Sequence, residues 1–214
     1  MGNDLQTSPA ANLPANATPT VFTQTGDKNT QVAYANNVNN VINIIVSGAL
    51  RSTGGTVNAS LPLSTEYYNL FVIGNETFND GCFLIEKDRA LTVAEGIAPE
   101  ISKRYAGLSE DAILQIKTFP ALFASENHQY GRTDSNHQAF FGLVTDIRIQ
   151  ENGIKIYFQK LSPVPQQRLN EIAFNLAIKG SSSFNELNRT HWAIKRINLI
   201  EELRAAGISV LAPT

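Results

Sequence analysis

The stretch from Glu126 to Gln138 holds the densest set of reactive side chains in the chain. Glu126, His128, Arg132, Asp134 and His137 place two imidazoles, two carboxylates and a guanidinium within one short segment. Imidazole is the side chain that changes charge near neutral pH, and it is the commonest metal ligand. Glu126 beside His128, or Asp134 beside His137, has the composition of a divalent-metal site or of a base with its orienting carboxylate. That would make a metal-dependent hydrolase or nuclease. The spacing argues otherwise: the segment contains neither H-E-x-x-H nor a paired His-x-His site. We therefore expect no metal, no cofactor and no catalytic residue. The five side chains read instead as a surface that meets a small ligand or a partner chain.

A second group is basic. Arg189, His191, Trp192, Lys195 and Arg196 surround one aromatic. On a helix Arg189, Trp192 and Arg196 would share a face, with spacings of three and four. Such a face could meet nucleic-acid phosphates while the indole stacks. Glu201 and Glu202 follow on the same segment, however, and the formal net charge of the chain is -2. A core Trp with a basic rim is the expected arrangement, and nucleic acid is not an expected partner. Cys82 lies among Phe83, Leu84 and Ile85 and reads as a small buried hydrophobe. As the single cysteine, it excludes an internal disulfide and a cysteine-based zinc site. No Walker A motif, no G-x-G-x-x-G and no G-x-S-x-G occurs, so P-loop, dinucleotide-cofactor and α/β-hydrolase chemistry lack their signatures.

These residues need elements to position them. From Ala139 to Lys160 the chain alternates at period two, and Asn152-Gly153 suits a type I′ turn. The expected register sets Ile149 against Ile156 and Ile147 against Phe158. Tyr68, Leu70 and Val72 alternate as a strand, Cys82 to Ile85 form a second, and Pro120 to Ala124 a third. Helices are expected over Pro99 to Tyr105, Ser109 to Phe119 and Gln166 to Ile178. Ser109 is a natural N-cap ahead of Glu110 and Asp111. Ser183 with Glu186 matches a capping box, and a further helix is expected from Leu187 to Ala206, stopped by Gly207. Ile208 to Leu211 suit a short edge strand.

The segment 1–60 differs from the rest. It holds ten Asn but only four charged side chains, those of Asp4, Asp27, Lys28 and Arg51. Its first part, 1–20, carries Pro9, Pro14 and Pro19 and reads as a flexible tail. In the part 21–60 the pattern Gln24-x-Gly26-x-x-Asn29-x-Gln31 resembles one Q-x-G-x-x-N rung of the curli-type stacked β-repeats. In those repeats Asn and Gln form hydrogen-bonded ladders. One copy does not build a solenoid within a chain, but the resemblance implies stacking on another subunit through Gln24, Asn29 and Gln31. The segments YYNLFVIG, KTFPALFASENH, AFFGLVTDIRIQENGIKIYFQ and SSFNELNRTHWAIKRINLIEELRAAGI resemble an uncharacterised bacterial family associated with anti-phage conflict systems. The resemblance implies a bacterial intracellular setting and supplies no activity.

At 43% hydrophobic and 17% charged the composition is that of a soluble domain. No apolar run reaches membrane-spanning length, and the N-terminal sequence lacks a signal-peptide pattern, so a cytoplasmic protein is expected. The fold class expected is α+β. It comprises a small antiparallel sheet or partly open β-barrel over 67–160, helical cover over 164–206 and a β-rich extension at 21–60. The function expected is a non-catalytic, oligomerising binding or sensor module. It would associate with itself through the segment 1–60, and with a protein of the same operon, in antiviral defence.

Overall fold

The computed structural model describes residues 63–95 and 97–211. Among these residues six strands form one sheet: β1 (Tyr68–Val72), β2 (Cys82–Ile85), β3 (Pro120–Ala124), β4 (Gln138–Gln150), β5 (Gly153–Pro165) and β6 (His191–Lys195). Four α-helices accompany them among the described residues: α1 (Pro99–Tyr105), α2 (Glu110–Ile116), α3 (Gln166–Glu171) and α4 (Leu199–Ala205). The strand order is β2-β5-β4-β3-β1-β6, and the sheet curls into an open half-barrel. It is mixed rather than purely antiparallel, because β1 runs parallel to β3 while every other pairing is antiparallel. The class is α+β, as the sequence implies.

The core follows from the strand alternation. Phe71 stacks on both Phe123 and Trp192, at centroid distances of 5.3 and 5.1 Å. Phe78, Phe83, Phe123 and Phe158 extend this aromatic layer across the sheet. Such rings contribute both buried area and a preferred geometry. Within the layer Asn69 is fully buried yet satisfied: its amide donates to Ile116 O at 3.1 Å and accepts from the Trp192 indole at 3.2 Å. That bond ties α2 to β1. α2 begins as its sequence dictates, with Ser109 Oγ accepting from Ala112 N at 3.3 Å.

Several details depart from the sequence reading. The hairpin turn falls one residue earlier, at Glu151-Asn152, so Ile149 faces Ile154 and Ile147 faces Ile156. The slip is an even number of residues, so each side chain keeps its expected face. Neither turn residue takes a positive φ, so the turn is not type I′; Gly153, with φ 154°, begins the return strand instead. The expected helix over 187–206 is divided: its first half holds the strand β6 and only its second half is α-helical. β6 pairs with the edge of β1, and only Leu199–Ala205 is helical. All five β6 residues are buried, so no polar/apolar alternation betrays it. α3 stops at Glu171, short of the expected Ile178. The capping box belongs to Asn185 and Asn188 around a short 3-10 turn, which frees Glu186 to point inward. Ile208 to Leu211 form no strand.

Candidate functional site

Because β1 and β3 are parallel, the residues leaving their ends, Gly74 and Ser125 to Asn127, arrive at one edge of the sheet. Gln138 enters β4, Gln166 leaves β5 and Thr190 enters β6 at that same edge. The segment from Ser125 to His137 lies there and is held from beneath by side-chain amides. Gln166 Nε2 donates to Ser125 O at 2.8 Å and to Asn127 Oδ1 at 3.0 Å. Asn127 and Asn170 exchange amide hydrogen bonds at 2.9 and 3.0 Å, and Asn185 Nδ2 donates to Asn170 Oδ1 at 2.9 Å. Asn188 ties the far end, donating to Gln129 O at 2.8 Å and accepting from Gly131 N at 3.0 Å. Gln167 accepts from Thr133 N at 3.0 Å. Interlocked amides of this kind restrict a loop to few conformations, although among the described residues Gln166 Oε1 has no hydrogen-bond partner.

His137 sits at the centre of the loop. Its Nε2 lies 2.5 Å from Ser125 Oγ, and its Nδ1 is hydrogen-bonded to Thr133 Oγ1. The His128 ring stacks on it at 4.2 Å and 14°. His128 Nδ1 in turn meets Asp134 Oδ2 at 2.7 Å. Burial pushes the His137 imidazole below its ordinary range, the His128 charge adds to this, and Asp134 opposes both. A neutral imidazole between two hydroxyls has one definite proton arrangement for base chemistry. If Nδ1–H donates to Thr133, Nε2 carries the lone pair that accepts the Ser125 proton.

Of the five loop residues predicted as a site, three come together: His128, Asp134 and His137. Glu126 turns away, accepting from Thr190 Oγ1 at 2.7 Å, while that hydroxyl accepts from Gly74 N at 2.8 Å. Glu126 borders a separate cleft of about 410 Å³ that Glu86, Arg89 and Arg189 also line. Arg132 is exposed. Among the described residues no three His, Cys, Asp or Glu side chains converge to hold a metal ion. The metal-dependent alternative through Glu126, His128, Asp134 and His137 therefore has no geometry behind it. Sequence reasoning missed Ser125 and Thr133, since hydroxyls in a polar loop carry no pattern of their own. Only the position of Ser125, directly after a wholly buried strand, could have drawn attention to it.

The basic group is dispersed. Arg189, Trp192 and Arg196 share no helical face, because Trp192 lies in β6, fully buried against Phe71. Lys195 and Glu186 form an ion pair at 2.6 Å, each side chain only 4% exposed. Arg196 pairs with Glu66 at 2.7 Å, and Arg189 donates to Ala94 O at 3.1 Å. The alternative of one helical face for phosphates is therefore not assembled, while Trp192 lies in the core as expected. His191 is fully buried; its Nδ1–H donates to Arg189 O at 3.0 Å, and its Nε2 has no partner among the described residues. Gln24, Asn29 and Gln31, the residues expected to stack between subunits, lie outside the described residues.

Comparison with protein-family models, with curated proteins and with solved structures yields no match. Among the described residues no helix is long and apolar enough to cross a membrane.

Proposed function

We propose that this chain is a binding module whose recognition surface is the 126–138 loop. Its segment 1–60 joins copies of the chain, and it works in the bacterial cytoplasm beside a partner encoded nearby. The observation that supports this reading is the contrast between the two sides of the loop. Beneath it, Asn127, Gln166, Asn170 and Asn185 interlock. Above it, Tyr130 is 77% exposed and meets Phe184, itself 47% exposed, at a centroid distance of 6.0 Å. His128, Arg132 and Asp134 are exposed on the same loop. A surface fixed before binding loses little entropy when a partner docks. Exposed aromatic and Arg side chains are the types that dominate interface energies.

The test compares capture from a lysate of the source cell by the full chain and by a Tyr130→Ala/Arg132→Ala variant. Truncating two such anchors at about 1–2 kcal/mol each predicts at least a tenfold loss of whatever the unaltered chain enriches. Equal enrichment by both proteins rejects the loop as the recognition surface.

A further inference from the structure

We propose that Ser125 is a nucleophile with His137 as its base, and that the site accepts acyl groups from small uncharged esters. This goes beyond the binding reading and stands without it, because it concerns the reactivity of one hydroxyl. Four features of the structure carry it. Ser125 Oγ lies 2.5 Å from His137 Nε2, within reach for direct proton transfer. The opposite ring nitrogen is hydrogen-bonded to Thr133 Oγ1, which holds the ring in place, and in the tautomer whose Nδ1–H donates to that hydroxyl Nε2 is the acceptor. The backbone of Ser125 is pinned where it leaves β3, its carbonyl accepting from Gln166 Nε2 at 2.8 Å. The stacked His128 ring sets the plane of His137. Thr133 is thus a positioning residue, and Ser125 and His137 are the catalytic pair.

The surroundings indicate the substrate class. The side chains bonded to the pair and to its backbone are uncharged: Thr133, Gln166 and, through Gln166, Asn127. The carboxylate of Asp134 stands beside His128, which disfavours an anionic phosphoester. In the reaction Ser125 Oγ bonds to the ester carbonyl carbon as its proton passes to His137 Nε2. The C–O bond of the ester breaks, and the alcohol leaves with that proton. Water, deprotonated by the same nitrogen, then attacks the acyl-serine, releasing the acid and restoring Ser125.

The probe is a fluorophosphonate, whose phosphorus the serine oxygen attacks with loss of fluoride, applied to the full chain and read by intact mass and peptide mapping. The expected result is a single adduct on Ser125, absent from Ser125→Ala and at least 100-fold slower in His137→Gln. Thr133→Val should slow labelling and Thr133→Ser restore it, an effect that a loss of folding would not reverse. The unaltered protein supplies a further readout, independent of variant folding. The groups facing His137 are His128 and Asp134, and the ring's pKa is lowered. The labelling rate should therefore be level at neutral pH and fall only below about pH 6.5. No adduct, an adduct that persists in Ser125→Ala, or a rate that rises in proportion to hydroxide through neutral pH would each overturn the proposal.

Discussion

His191 is a buried side chain whose titration makes the folded state sensitive to acid. Burial is the main cause that lowers its pKa from 6.5 to about 4, with Lys195, Arg189 and Arg89 adding repulsion; the bond to Arg189 O works in the other direction. The sign follows directly. Between pH 6.5 and about 4 the unfolded chain binds a proton that the folded chain refuses, so stability falls as the pH drops through that window. Above pH 6.5 His191 contributes no pH dependence, and below about 4 the loss is complete. A displacement from 6.5 to about 4 corresponds to roughly 3 kcal/mol. Replacing the ring by an apolar one of similar size removes the titration. His191→Phe should therefore show a smaller difference in urea midpoint between pH 7.5 and pH 4.5 than the unaltered protein. An unchanged difference would assign the acid sensitivity elsewhere. The buried Lys195–Glu186 pair, by contrast, joins the 3-10 turn at Glu186 to the strand HWAIK, whose lysine the sequence suggested for a basic rim. Nothing in residue types alone announces that this Lys will meet a Glu from the preceding turn in the core.

At the level of elements, the long ribbon of β4 and β5 shifts register twice, between Phe141 and Gly142 and between Val144 and Asp146. A Cβ on Gly142 would lie 2.1 Å from Gln159 O and 3.1 Å from the Phe123 ring. The neighbour that would have to yield is backbone of the paired strand, so relief requires moving the ribbon. Gly142→Ala should cost at least about 1–3 kcal/mol, the range for forcing extra volume into a packed site. Chemical denaturation measures this directly. A loss under about 0.5 kcal/mol, typical of surface substitutions, would show that the ribbon adjusts freely at this register shift. The same ribbon explains what the sequence could and could not disclose. Its alternation is local, as are the Ser109 cap of α2 and the apolar run of β3, and these were legible, whereas the turn lies one residue before the expected Asn152-Gly153 and is of another type. β6 was not, because Trp192, Leu199 and Leu203 imitate a helical stripe across a break. The deciding force is the free edge of β1, which is distant in sequence. The Ser125–His137–Thr133 cluster was illegible for a related reason. It exists only because β3 and β4 pair and bring the two ends of their connecting loop together.

At the scale of the whole molecule, among the described residues one continuous hydrophobic core runs from Tyr68 to Ile208. The Asn-rich segment 1–60 then has a different task under the proposed function. With four charges in that stretch, copies lying side by side would repel one another little. Identical Asn and Gln side chains stacked in register would satisfy each other's amides, as polar ladders do. The proposal thus divides the chain into a folding part and an assembling part, and each makes its own demand on one experiment. A chain beginning at Leu63 should keep the thermal transition of the full protein to within a few degrees, because the core loses none of the residues named above. In light scattering the same truncation should reduce the particle from several subunits to one. The substitutions Gln24→Ala, Asn29→Ala and Gln31→Ala together should do the same in the full chain, since a ladder without its amides has no bonds to offer. A subunit number unchanged by both would place self-association elsewhere in the chain or remove it, whatever the truncated protein's stability.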